Sequence, residues 1–364
     1  MQLNPKATLI INIAKSTFHW FLILVFCYIF VVFVVITYFN APNSYHREDK
    51  KFVVISGMTF REVVEKLHEE KIVKTPTAFL YISQIIKGID PKVRYGEYFF
   101  EKNTSYEKIL HKMIKGYIYF RKITISEGLS TNSALKIIDK ASGLAGELPT
   151  NIAEGSLLPE TYFYSFSDNK ANVVKRMQDS LTRHIDELWE KRDLNIPIKT
   201  KQEAIILASI VEKETGIAQE RPKVASVFIN RLRKGMKLQS DPTIIYSFAF
   251  GDKSLERKIF LKDIQNNSNY NTYNIYGLPP APICNPGLAS IKAVLNPINT
   301  DFLYFVATGS GDHHFSNNIA EHNQYVAKYR AIIKNIQQNN NKVPQPSDSQ
   351  DQNTETNNPV SQNP

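Results

Sequence analysis

Cysteine is scarce: the 364 residues contain only Cys27 and Cys284. A pair so far apart, with one member inside an apolar run, is no disulfide framework, so the compartment has to be read from topology. Also missing are the paired Cys/His spacing of a zinc finger and the aromatic–basic motif of an RNA-binding sheet, which removes the case for nucleic acid. There is no H-E-x-x-H, and His313, His314 and His322 lack the spacing of a common metal helix, so no metal or other cofactor is expected. Cys284 lies in I-C-N-P without any local feature that would activate a thiol, which argues against a cysteine nucleophile paired with His313. Acidic residues are absent from the first seventeen positions, where Lys6 and Lys15 stand.

What is present is ordinary in bulk, with 43% hydrophobic and 22% charged residues and length enough for two modest domains and tails. The net charge of +9 suits an anionic neighbourhood, such as a membrane surface or an acidic polymer. Phe18 to Phe39 runs without a charged side chain, long enough to cross a bilayer as one helix, and Trp20 and Tyr38 stand where an aromatic belt would. The run is too long for a signal-peptide core and no small-x-small cleavage site follows it. Residues 18–39 are therefore expected in the cytoplasmic membrane, with a linker over 40–51. Arg47, Lys50 and Lys51 behind the run leave the charge bias weak. Residues 1–17 are expected in the cytoplasm, with the remainder outside, mainly because the remaining chain looks exported.

The fold class expected is α+β. Three strand-turn-helix units follow the linker: Phe52 to Ile55 with Val63, Val64 and Leu67; Tyr98 to Phe100 with Ile109, Leu110 and Met113; Ile123 to Ile125 with Ala134, Leu135 and Ile138. Thr59 with Glu62 forms a capping box ahead of the first helix. Residues 52–122 are taken as a small α/β module, with a LysM-like carbohydrate-binding role as the sharper reading and a folding scaffold as the plainer one. Residues 123–336 then form an α+β catalytic domain. From 337 to 364 the chain is Gln, Asn, Pro and Ser with almost nothing apolar, and is expected to be disordered.

Within the larger domain the stretch T-K-Q-E-A-I-I-L-A-S-I-V-E-K-E-T-G, Thr200 to Gly216, reads as a nearly apolar helix. Thr200 can cap it, Glu203 completes a capping box, and Gly216 offers a left-handed stop. At 100° per residue Glu212 enters the sector of Ala204, Ile205 and Ala208, a place for a hydrophobe. Desolvation and the negative helix end there both favour a neutral carboxyl group, suited to general-acid chemistry. The plainer alternative pairs Glu212 with an arginine in a structural network. Glu214 leaves the same helix about 160° away.

Other polar clusters carry two readings each. Glu154 and Glu160 flank the loop G-S-L-L-P and more readily cap or salt-bridge a neighbouring element than assist a reaction. Asp241 before Pro242 suits a helix N-cap better than a second catalytic carboxylate. The cluster Arg231, Arg233, Lys234 and Lys237 is either solvated surface or a hold for acidic peptide stems. Tyr270-Asn271-Thr272-Tyr273-Asn274 has the rings and amides that sugar-binding clefts use.

Six blocks together resemble the endolytic murein transglycosylases of the MltG/YceG-like family, over Phe52 to Tyr329: E-G-S-L-L-P-E-T-Y, A-S-I-V-E-K-E-T, V-A-S-V-F-I-N-R-L, L-Q-S-D-P-T-I-I-Y, Y-N-T-Y-N-I-Y-G-L-P-P, and L-Y-F-V-A followed by H-x-F and E-H-N. The resemblance implies cleavage of the MurNAc-β-1,4-GlcNAc bond within glycan strands, with 1,6-anhydro ends. It places the catalytic glutamate on the first Glu of E-K-E-T, Glu212, and makes Gln239, Asp241, Asn271 and Tyr273 candidates for positioning the glycan. Peptidoglycan and the membrane are the implied partners, with cell-wall synthases or division proteins as further ones. Two rivals stand beside it: a hydrolytic muramidase using Glu212 with Asp241 or Glu160, and a non-catalytic wall-binding scaffold tethered to the membrane.

Overall fold

The computed structural model describes residues 5–249 and 259–340 and is mixed α+β. It forms two compact units interleaved in sequence: Met1–Ser126 with Asn132–Ile152 and Pro159–Asp179, and Glu127–Thr131 with Ala153–Leu158 and Ser180 onward.

The first unit opens with α1 (Pro5–Asn40), whose stretch Ala14–Asn40 is long and apolar enough to cross a membrane, its most apolar window wholly unburied. There follow β1 (Lys50–Val54), α2 (Phe60–Glu69), α3 (Pro76–Lys87), β2 (Gly96–Phe100) and α4 (Tyr106–Lys115). The expected capping box at Thr59 and Glu62 is formed, and Pro76 opens α3, a helix the sequence reading passed over. β1 pairs antiparallel with β2 in the register Phe52↔Tyr98, so Phe52, Val54, Tyr98 and Phe100 face a core with Val63, Leu67, Phe79 and Ile109. Sequence alternation explains the strands, and the 3.6-residue period explains the helices. Residues 40–51, expected as a linker, pack: Asn43 and His46 are buried, and Asn43 bridges to Asn103. The unit continues through β3 (Arg121–Thr124), α5 (Thr131–Asp139), β4 (Leu144–Ala145), β5 (Thr161–Tyr164) and β6 (Asp168–Asn169). β3 pairs antiparallel with β5, and β4 parallel with β6.

Beyond α6 (Lys170–Glu190), within which the division of the units falls, lie α7 (Lys201–Glu214), α8 (Arg221–Arg233), α9 (Asp241–Ala249), α10 (Leu261–Ile264), α11 (Leu288–Leu295), β7 (Tyr304–Ala307), β8 (His313–Ser316) and α12 (Ile319–Asn340). α7 is the centre of the second unit, packed by α8, α9 and α11. Leu207, Ile210, Val211, Val224, Phe228 and Ile291 form its core, and β7 and β8 pair antiparallel beside it. The tail expected from 337 overlaps the end of α12; residues 341–364 lie outside the described residues, as do residues 1–4 of the expected cytoplasmic segment.

Candidate active site

Every residue of α7 from Ala204 to Val211 is buried, so the helix threads the core with apolar neighbours all round. Thr200 caps it, its hydroxyl accepting the Glu203 N–H at 3.1 Å, while the Glu203 carboxylate reaches one residue further back to the Lys199 N–H at 2.6 Å. The glycine stop expected at Gly216 is not used. Thr215 turns the chain into extended backbone at φ −142°. The last turn therefore carries two carboxylates, Glu212 and Glu214, into different surroundings.

Glu212 is held by protein on every side, its side chain only 5% exposed. Its Oε1 accepts from the Arg221 guanidinium at 3.1 Å, and its Oε2 accepts from the Gly287 backbone N–H at 3.0 Å and the Ser290 hydroxyl at 2.7 Å. Arg221 reaches Glu127 as well, at 3.2 Å. Burial pushes the Glu127 carboxyl group up, reinforced by Glu212 and opposed by Arg221. A side chain at Gly287 would displace the Glu127 carboxylate, so glycine there lets Glu127 lie close to the backbone that donates to Glu212. This is the arginine-paired arrangement that was the alternative for Glu212, and it leaves that carboxylate little room to meet a substrate.

Glu214 lines a cavity of about 310 Å³ together with Arg231, Gln239, Asp241, Tyr273, Tyr304 and His322. Burial raises its carboxyl group to about 7; the negative charge of Asp241 adds to the shift, while the Ser240 hydroxyl bond and Arg231 oppose it. Ser240 donates to Oε1 at 2.5 Å. Beside it, the Tyr273 hydroxyl donates to Asp241 Oδ1 at 2.6 Å. Arg231 is buried: its Nε donates to the Leu303 carbonyl at 2.7 Å and its Nη1 to that of Leu238 at 2.6 Å. Burial lowers its affinity for the proton, yet a guanidinium this far above neutrality stays charged. His322 stacks on Tyr304 with centroids 5.1 Å apart, its Nδ1 is buried without a hydrogen-bond partner, and burial next to Arg231 holds the imidazole below its ordinary value. The cavity thus offers an acid raised toward neutrality, a fixed cation, an imidazole held below its ordinary value and a tethered Tyr–Asp pair.

Gln239 adopts φ +52°, left-handed backbone that a non-glycine residue enters only when held there. Its N–H donates to the Thr272 carbonyl at 3.1 Å, and Ser240 N–H donates to the Thr272 hydroxyl at 2.9 Å, so the loop after α10 fixes the approach to α9. Asp241 is the first residue of α9, consistent with a helix start, but its carboxylate takes the Tyr273 hydroxyl.

Of the glycan-positioning candidates, Gln239, Asp241 and Tyr273 meet at this cavity and Asn271 does not. Asn271 is fully buried, and its amide donates to the carbonyls of Ile264 and Asn266 at 2.8 and 2.7 Å, bracing the loop from within. Arg231, read as part of a basic surface turn, is inside the cavity wall. Glu154 accepts the N–H of Thr131, the first residue of α5, at 2.7 Å, in keeping with a capping role; Glu160 is exposed in the first unit. His313 binds Glu220 at 2.7 Å, and Cys284 is buried with its thiol pushed far up by desolvation, so the two form no nucleophile pair. Missed from sequence as parts of this cavity were Glu214, Ser240, Tyr304 and His322, while Arg231 was read only as solvated surface or a hold for acidic peptide stems. The one local signal was the run Q-S-D-P, which sets Ser240 between two cavity residues.

The model of the YceG-like family matches residues 52–328. The endolytic murein transglycosylase of Bacillus subtilis (strain 168) is 30% identical over 306 residues, covering 75% of this chain and 83% of the relative. That of Streptococcus pneumoniae serotype 2 (strain D39 / NCTC 7466) is 26% identical over 329 residues, 77% of this chain and 59% of the longer relative. Among solved structures, a putative yceG-like protein, lmo1499, from Listeria monocytogenes is 26% identical with a TM-score of 0.46, over 76% of this chain and 99% of that one.

Proposed function

The chain belongs to the YceG-like family, and from that premise we propose that it is an endolytic peptidoglycan lytic transglycosylase whose acid and base is Glu214. The observation that carries the assignment is the cavity in which a carboxyl group raised to about 7 lies against Ser240, Asp241, Tyr273 and Arg231. Glu214 protonates the glycosidic oxygen of the MurNAc-β-1,4-GlcNAc bond, and the C1–O bond breaks. The C6 hydroxyl of the same muramic acid attacks C1, and its proton passes to the Glu214 carboxylate, which is ready for another cycle. An ordinary glycosidase uses two carboxylates because it must activate water or attack the sugar itself. Here the nucleophile is already tethered, so proximity supplies what a second carboxylate would. The Ser240 hydroxyl favours the ionised form that accepts the C6 proton, and burial with Asp241 favours the protonated form that starts the reaction. Gln239, Tyr273 and Arg231 position the glycan. Glu212, the residue favoured on sequence, holds Arg221, Gly287 and Ser290 together instead.

In the cell α1 spans the cytoplasmic membrane with Lys6 and Lys15 inside, and both compact units face the wall. Residues 52–122 serve as a LysM-like module, a reading supported by the β-α-α-β order of β1, α2, α3 and β2 with its strands antiparallel. Synthases or division proteins are the partners that trimming of nascent strands would require.

Digestion of purified peptidoglycan by the detergent-solubilised chain, read by mass spectrometry, tests the reaction. The expected new ends are 1,6-anhydromuramyl groups, lighter by one water than reducing ends. Reducing ends would replace the transglycosylase with a muramidase, and no cleavage at all would leave a wall-binding scaffold.

A further inference from the structure

A second cavity, of about 370 Å³, lies in the first unit where α1 ends, and its wall includes Asn40, Lys102, Asn103, Ser105, Lys108 and Lys112. Three ammonium groups against the single carboxylate of Glu101 make it a basic pocket. We propose that it holds the phosphate of an anionic phospholipid headgroup, a reading that rests on α1 spanning the bilayer.

Its position argues for a lipid over a dissolved anion. Asn40 is at once the last residue of the apolar segment Ala14–Asn40 and part of the cavity wall, so a spanning α1 puts the pocket at headgroup depth. Packing ties the end of α1 to the rest of the unit beside the pocket. Phe39 is buried and stacks on Phe79, with ring centroids 5.7 Å apart, and the Tyr38 hydroxyl meets that of Thr75 at 2.7 Å. Asn43 N–H donates to the Asn103 carbonyl at 3.1 Å, and Asn103 N–H to that of His46 at 2.7 Å, tying the segment behind α1 to the loop that carries Lys102.

The groups suit a phosphate. Lys112 Nζ donates to the Phe99 carbonyl at 3.0 Å, which fixes the ammonium at the wall and leaves two of its three N–H bonds for a ligand. Ser105 accepts the Lys108 N–H through its oxygen, leaving its O–H to donate. Lys102 and Lys108 are exposed and close over an incoming headgroup as point charges. A lipid bound so fixes the depth of the first unit at the membrane, beyond what one spanning helix can do, because a lone helix is free to rotate and tilt.

The test uses the full chain in nanodiscs of phosphatidylcholine, alone or with phosphatidylglycerol, and counts retained lipids by native mass spectrometry after release. The wild type should retain one phosphatidylglycerol in preference to phosphatidylcholine. A lysine at a headgroup surface is worth about five-fold in affinity, so Lys102→Gln with Lys108→Gln should weaken retention by roughly 25-fold. Both side chains are exposed, and circular dichroism checks that the double variant is folded. Equal retention of the two lipids, or unchanged phosphatidylglycerol binding in the double variant, overturns the site. Inorganic phosphate alone displacing the lipid at equal concentration would reassign it to a soluble anion. Alkaline carbonate extraction runs in parallel: release of the chain refutes the spanning helix itself, whereas a retained chain without lipid preference refutes only the pocket.

Discussion

Glu214→Gln separates the proposed acid from a structural carboxylate, because it keeps the shape of the side chain while removing its proton. Two magnitudes follow. For catalysis, loss of a general acid-base group costs about two to four orders of magnitude in kcat, with substrate binding retained. For stability, the Glu214 carboxyl group is raised from 4.5 to about 7 in the folded chain. A carboxyl group whose folded value lies above its unfolded one stabilises the fold at low pH and gives that contribution up as pH rises, here from about 4.5 to about 7. At about 1.36 kcal/mol per unit, a rise of about 2.5 units is worth at most about 3 kcal/mol. Glutamine does not titrate, so the stability of the variant relative to wild type should climb by up to about 3 kcal/mol between pH 4 and pH 8. Urea unfolding in detergent, followed by tryptophan fluorescence to which Trp189 beside the second core contributes, measures this directly. The kcat of the wild type should also fall above about pH 7 as the acid ionises. A variant that turns over at the wild-type rate, or a stability difference flat in pH, would refute the reasoning.

Glu212→Gln should act on the fold. It breaks the charge pairing with Arg221 and weakens the hold on Ser290, costing about 2 to 3 kcal/mol in unfolding free energy, while kcat well below the melting temperature stays within about three-fold of wild type. Loss of turnover with unchanged stability would return the catalytic role to Glu212. Cys284→Ala removes a buried thiol that donates to the Ser209 carbonyl at 3.3 Å, so about 1 kcal/mol of stability should go with no change in product or rate. An inactive, fully stable alanine variant would reopen the thiol chemistry.

Much was legible because it is local. The uncharged run from Phe18, the capping box at Thr59 and Glu62, the period of α2, α4 and α8, and the family blocks can each be read from neighbours within one or two turns. Sequence also determined that Glu212 and Glu214 leave α7 on different sides, since 100° per residue settles it. Which side meets the cavity was decided by tertiary structure alone. The usual guide to a helix's inner face is its apolar stripe, and α7 has none, being buried from Ala204 to Val211 on all sides. The deciding groups come from afar: Arg221, Gly287 and Ser290 close around one carboxylate, and Gln239, Tyr273, Tyr304 and His322 line a cavity at the other. Asn271 likewise looked like a ligand for sugar and turned inward, because the carbonyls that claim its amide, those of Ile264 and Asn266, are free to accept only once the loop has folded back.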